Sequence, residues 1–288
     1  MDLCNLSVIK SLMADAGITF RKDYGQNFLI NRMIPEEIAE SCANDENTMI
    51  LEIGPGIGCL TKELALRYKK VVAVEIDKGL IPVLSRTLSE FDNITVINGD
   101  IMEVDIEALI AEYSEGMPVS VCANLPYYIT TPILMRLLES NVKFSSITVM
   151  VQNEVATRLI SKPGSSDYGA ITAVLGYYGS VERLFKVSAG SFVPAPKVDS
   201  AVVKIDLYKE SPYKPADEGF FRNVIKAAFE MRRKTLVNAL NAKFSWLDKT
   251  TVSQTLTELG FSETIRGERL STAEFVRLAD ALYSKMKK

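Results

Sequence analysis

From residue 48 to about residue 160 the chain alternates short apolar runs with helix-spaced runs, and this alternation restricts the fold more than any other feature. TMILEIG is followed by CLTKELALRY, KVVAVEID by GLIPVLSRTL, NITVING by VDIEALIAEY, VSVCANL by TPILMRLLES, and SSITVMVQ by NEVATRLI. The first member of each pair is short, β-branched and apolar, which predicts a strand covered on both faces. The second carries apolar residues at helical spacing, and Pro132 suits the first turn of its helix. Strands joined through helices form a parallel sheet with helices on both faces.

Two further β-like runs, VERLFKV and SAVVKIDLY, have no obvious long helix between them. They are expected to form an antiparallel pair closing one edge of the sheet. After KESPYKP the texture changes. EGFFRNVIKAAFEM, KTLVNALNAKF, TVSQTLTELG and TAEFVRLADALYSKM all read as helices. The prolines and polar residues of 209–215 read as a linker. The expected organisation is an α/β domain over 1–212 and a small all-α domain over 213–288. Charge divides at the same place. Residues 213–288 hold 14 Lys and Arg against 9 Asp and Glu, on a chain whose net charge is −3. A basic segment on an acidic body fits either a polyanion contact or a solvated helical surface.

The chain contains no histidine. That excludes a Ser-His-Asp triad, a Cys-His pair and any histidine metal site. Cys4, Cys42, Cys59 and Cys122 are scattered with no C-x-x-C, so they are expected to pack as small apolar groups, and no metal is expected. No apolar run is long enough to span a membrane, and the N-terminus lacks the pattern of a secretory signal. The expected location is the cytoplasm.

Four strand ends carry chemistry. LEIGPGIG ends a strand in a glycine-rich turn, where Gly54, Gly56 and Gly58 let backbone approach a ligand closely. It lacks the dinucleotide spacing and the Walker lysine. It is similar to the cofactor loop of S-adenosylmethionine-dependent methyltransferases, although a generic tight turn has the same composition. Glu75 ends the next strand, where an acid can accept from both hydroxyls of a ribose. Asp77, nearer the following helix, fits a helix N-terminus. Asp100 follows the third strand, where a carboxylate can accept from an adenine exocyclic amine. At the fourth end stands NLPYYITTP. The Asn124 oxygen and the carbonyls beside Pro126 can accept both hydrogens of an exocyclic amine, and Tyr127 can stack on its ring. Tyr128 reads as core packing.

Taken together, these segments resemble the ribosomal RNA adenine N6-dimethyltransferases of the KsgA type. NLPYYITTP matches the family's Asn-Leu-Pro-Tyr motif, KDYGQNFL its cofactor-covering segment, SFVPAPKVDSAVV the segment after the sixth strand, and FEMRRKTLVNAL the basic entry to its C-terminal domain. The Erm resistance methyltransferases usually have isoleucine where Leu125 stands. The resemblance implies a Rossmann-like class I S-adenosylmethionine-dependent methyltransferase sheet with a small all-α C-terminal domain, the N-terminal segment 1–47 covering the cofactor. It implies that Asn27, Leu29, Gly54, Gly56, Glu75, Asp100 and Asn124 bind S-adenosylmethionine, which leaves as S-adenosylhomocysteine. Asn124, Leu125, Pro126, Tyr127 and Phe192 would act on the base, with Tyr127 and Phe192 on either side of it. Arg21, Lys22, Arg232, Arg233 and Lys234 would contact RNA. The implied reaction is dimethylation of two adjacent adenosines in the 3′-terminal hairpin loop of 16S ribosomal RNA. The implied partner is the small ribosomal subunit, with no membrane, and the chain is expected to be a monomer. Cys59 departs from the family pattern, with only a packing consequence expected.

Overall fold

The computed structural model describes residues 1–18 and 26–286. Helix α1 (Leu6–Asp15) begins at Asn5, whose side chain accepts from the amides of Ser7 and Val8. A short strand β1 (Phe28–Leu29) and helix α2 (Met33–Cys42) follow. The expected pairs then appear in order: β2 (Met49–Ile53) with α3 (Cys59–Arg67), β3 (Lys70–Glu75) with α4 (Ile81–Thr87), β4 (Ile94–Asn98) with α5 (Ile106–Tyr113), β5 (Val119–Asn124) with α6 (Thr130–Glu139), and β6 (Phe144–Gln152) with α7 (Asn153–Leu159). Next come α8 (Ala170–Tyr178), β7 (Gly179–Val187), β8 (Phe192–Val193) and β9 (Ser200–Leu207). Helices α9 (Glu218–Glu230), α10 (Leu236–Lys243), α11 (Lys249–Glu258) and α12 (Thr272–Met286) complete the chain.

The described residues form a seven-stranded sheet in the order β4-β3-β2-β5-β6-β9-β7. Strands β2 to β6 pair in parallel, and β9 pairs antiparallel to β6, from Ser146↔Asp206 to Gln152↔Ser200. Strands β9 and β7 are neighbours at that edge, as the sequence suggests. Successive strands run outward from β2 to β4, and the chain then returns to start again at β5 on the other side of β2. The order therefore reverses between β2 and β5, and in open α/β sheets the carboxyl-end crevice at such a reversal receives the ligand. A second, two-stranded sheet joins β1 to β8, pairing Phe28 with Val193 and Leu29 with Phe192.

All five residues of β2 are buried, and β3, β5 and β6 are almost as dry, as expected for strands covered on both faces. One side of the sheet packs Ile38, Cys42, Leu64 and Val71 around Ile50 and Cys122. The described chain divides into two compact units: Met1–Ala156 with Glu182–Lys209, and Thr157–Val181 with Glu210–Lys288. The crevice and the sheet, apart from the first residues of β7, lie in the first. The second contains α8 to α12, with Phe221, Leu240, Leu256 and Phe275 buried. Residues 157–181, which the sequence reading keeps with the sheet, belong to this helical unit. Tyr168 ties them in by donating from its hydroxyl to the Leu270 carbonyl at 2.9 Å, as does Thr272, which donates to Ala173 at 2.8 Å. Helix α8 is apolar around its whole circumference, so it carries no amphipathic period to read. Among the described residues no helix is long and apolar enough to cross a membrane.

Candidate active site

The crevice begins where β2 runs out. Gly54, Gly56 and Gly58 all have positive φ, at 69°, 63° and 91°, which L side chains rarely adopt. A Cβ on Gly56 would also lie 3.2 Å from the Phe28 ring. Gly58 serves as N-cap of α3, so the turn delivers backbone N–H groups to the crevice and then starts a helix.

Glu75 closes the turn from the neighbouring strand. Its Oε2 accepts from the Gly56 amide at 3.0 Å and its Oε1 from the Asp77 amide at 2.8 Å. Burial raises its pKa, and the two amides oppose that rise. Asp77 caps a short turn by accepting from Gly79 at 3.0 Å, and it accepts from Gln26 Nε2 at 2.9 Å. Asp100 lies just past β4. Its Oδ1 accepts from the Met102 amide at 2.8 Å, and among the described residues none donates to Oδ2.

Two adjoining clefts share Gly54, Ile76 and Pro126 and so form one trough along the strand ends. Asn27, Leu29, Glu52, Gly56, Glu75 and Asn124 line one end, and Asp100, Ile101 and Tyr128 line the other. Glu52 is absent from the sequence expectations. It is 1% exposed, and among the described residues its Oε2 is buried without a hydrogen-bond partner. Burial, helped by the charge of Glu75, pushes its pKa up to about 8. The acid of LEIGPGIG, a lone charge inside an otherwise apolar strand, is the sequence signal for it.

Asn124 ends β5 on the far side of the crevice. Its Nδ2 donates to the Asn27 carbonyl at 3.4 Å, which fixes the carboxamide and leaves Oδ1 as an acceptor. The Pro126 carbonyl is taken up at the start of α6, accepting from the Ile129 amide and the Thr130 hydroxyl, both at 3.2 Å. Among the described residues no donor reaches the Leu125 carbonyl, while the Leu125 amide donates to Met150 at 3.2 Å. Asn124 Oδ1 and the Leu125 carbonyl are therefore the two acceptors that this edge offers. The Tyr127 hydroxyl is 2.6 Å from Ser200 Oγ on β9, which holds the ring, and burial raises its pKa.

The other expected residues are placed less uniformly. Phe192 is 3% exposed, packed in the core cluster with Leu29 and Val202, and lines neither cleft. The core-packing expectation for Tyr128 is corrected: it is 64% exposed, on the rim of the cleft that holds Asp100. Tyr128 sits in the turn of residues 127–129 that joins β5 to α6, closed by the Ile129 amide on the Pro126 carbonyl. Arg21 and Lys22 lie outside the described residues. In the turn after α9, Arg232 pairs with Glu268 at 3.0 Å and also donates to the Ser166 carbonyl. Arg233 and Lys234 beside it are exposed.

Comparisons with known proteins agree with this architecture. A family profile described as ribosomal RNA adenine dimethylase matches residues 17–282. Ribosomal RNA small subunit methyltransferase A of Shouchella clausii is 45% identical over the whole chain and 98% of its own length. That of Lachnoclostridium phytofermentans is 47% identical over 93% of each chain. A dimethyladenosine transferase from Plasmodium falciparum superposes with a TM-score of 0.75 at 26% identity, covering 90% of this chain and 97% of that one. The 23S rRNA methyltransferase ErmE superposes at 0.67 and 27% identity, covering 89% and 100%. With a matching profile over most of its length and close relatives end to end, the chain belongs to the ribosomal RNA adenine dimethylase family.

Proposed function

We propose that this enzyme dimethylates N6 of two adjacent adenosines in the 3′-terminal hairpin loop of 16S ribosomal RNA, with S-adenosylmethionine as methyl donor. The observation that carries the reading is the acceptor pair at the end of β5, the carboxamide of Asn124, which lines the trough, and the carbonyl of Leu125 next to it in the chain, to which no described residue donates. The trough suits the cofactor. It has glycine amides, a hydroxyl acceptor in Glu75, an amine acceptor in Asp100 and a buried orphan oxygen on Glu52 suited to a cationic group. Asn27 and Leu29 would cover it, and Gly54 and Gly56 would let it approach the backbone.

S-adenosylmethionine supplies a methyl group already activated on a sulfonium centre. The protein must therefore activate and position the amine. An adenine N6 lone pair is delocalised into its ring and attacks poorly. Accepting both N6 hydrogens, Asn124 Oδ1 and the Leu125 carbonyl draw the amine toward tetrahedral geometry. They also stabilise the positive charge that grows on nitrogen. The Ser200-anchored Tyr127 gives the base a fixed face, a contribution of orientation. Phe192 is assigned the other face of the base. The alkylated amine loses its proton without a strong base, which suits a chain with no histidine. Unpaired loop bases are cheap to extrude, and exposed Arg233 and Lys234 are available for phosphates.

The test is methylation of purified small and large ribosomal subunits from cells lacking the enzyme, with the labelled bases mapped. Two adjacent dimethyladenosines in small-subunit RNA are expected. Label confined to the large subunit, or none in either, would refute the proposal.

A further inference from the structure

Cys4 and Cys59 are far apart in sequence, yet their sulfurs lie 2.7 Å apart. Cys4 precedes α1, and Cys59 is the first residue of α3, directly after the glycine turn. We propose that this dithiol is an oxidation site whose disulfide fastens the N-terminal segment to the cofactor turn and slows exchange of the cofactor.

Three observations support it. First, both thiols line a cavity of about 270 Å3 bounded also by Asp2, Arg32, Lys62 and Glu63, so a small oxidant has a route to them. Cys4 is 8% exposed and Cys59 half-buried, whereas Cys42 and Cys122 have no exposure at all. Second, Cys59 lines the cofactor cleft as well as this cavity. A bond formed on one side is therefore felt on the other. Third, the segment to be tied already lies on the cleft wall, because Leu3, Ile9 and Leu12 pack with Phe28 and Ile57. The hydrogen bond from Cys59 lowers the pKa of Cys4, which makes Cys4 the first nucleophile.

The co-reactant is a low-molecular-weight disulfide such as glutathione disulfide. The Cys4 thiolate attacks one of its sulfurs, the S–S bond breaks, and one thiolate leaves with the electron pair. Cys59 then gives its proton to solvent, and its sulfur attacks Cys4 in the mixed disulfide, expelling the second thiolate. The protein loses two protons and two electrons, and the small disulfide becomes two thiols. In a reducing compartment the pair rests as a dithiol.

The bond stands independently of the cofactor assignment, whereas the gating rests on it. The experiment equilibrates the full chain in glutathione redox buffers and maps peptides without reduction. It also measures the release rate of S-adenosylhomocysteine from reduced protein, oxidised protein and the Cys4→Ser variant. The expected result is a Cys4–Cys59 link within one chain, release slowed about fivefold or more on oxidation, and no redox response in Cys4→Ser. Glutathione adducts alone, links between chains, or unchanged release from linked protein would overturn the proposal. Failure of the reduced protein to bind S-adenosylhomocysteine would instead refute the cofactor assignment, and the gating with it.

Discussion

The edge from Asn124 to Tyr127 and the basic turn from Arg232 to Lys234 are both polar clusters at the end of a regular element, but they are built differently. At the edge each group is held. Asn124 is tied to Asn27, the Leu125 amide to Met150 and Tyr127 to Ser200. In the turn, Arg232 is committed to Glu268 and Ser166, while Arg233 and Lys234 stand exposed. Stabilising charge in a transition state requires donors and acceptors fixed before the reaction, whereas a phosphate contact tolerates a long flexible cation. Damage to the edge should therefore appear in the rate of transfer. Damage to the turn should appear in salt-dependent binding.

The largest effect is expected from Asn124→Ala. Loss of one preorganised acceptor should lower turnover by roughly 10²–10³-fold while cofactor binding persists. Wild-type turnover, or a loss that disappears at low salt, would erase the distinction between the two regions. Glu75→Ala comes next. Removing a charged acceptor should weaken S-adenosylhomocysteine binding by about 1.5–3 kcal/mol for each hydrogen bond lost, read by calorimetry. The turn gives less. Arg233→Glu with Lys234→Glu should reduce the slope of log affinity for RNA against log salt by about 1 for each phosphate contact removed. Arg232→Ala should leave that slope unchanged, and its part-exposed pair with Glu268 should affect stability by less than about 1 kcal/mol. A slope that moves with Arg232 but not with its neighbours would reverse the assignment within the turn.

The same contrast explains what could be read from the sequence. Glu75, Asp100 and Asn124 each close or follow a strand of a parallel sheet. The alternation alone gathers those strand ends along one edge, so local motifs are sufficient to place these three residues there. Phe192 depends on the pairing of β8 with β1, two-residue strands too short to carry a pattern. Tyr127 and Tyr128 are adjacent in the turn between β5 and α6, yet one ring is anchored on Ser200 and the other is exposed, a difference that neighbouring identical residues do not announce. Arg232 is withdrawn from the cluster by Glu268, a partner remote in sequence that no charge count shows. The contact between Cys4 and Cys59 is likewise a product of packing α1 against the glycine turn, and nothing in their spacing signals it.

Glu52 tests the edge from its buried side. It shares the trough with Glu75, but backbone amides satisfy Glu75 while Oε2 of Glu52 has no partner among the described residues. Its pKa rises from an ordinary 4.5 to about 8 because burial disfavours the carboxylate. Between those values the folded protein binds a proton that the unfolded chain does not. The protonated fold is therefore favoured below the lower value, and stability is lost as pH rises through the upper one. In Glu52→Gln that titration is absent. From about pH 5 to about pH 9, wild-type Tm should fall relative to the variant, by about 2–4 °C for each kcal/mol of linkage. If the orphan oxygen receives a cationic group of the cofactor, binding below pH 8 should also expel the proton. The binding enthalpy of the wild type, and not of Glu52→Gln, should then vary with the ionisation enthalpy of the buffer. Parallel Tm curves would show that Glu52 is already ionised in the free protein. A buffer-independent enthalpy in a protein whose Tm curves diverge would place the cofactor's charge away from Glu52.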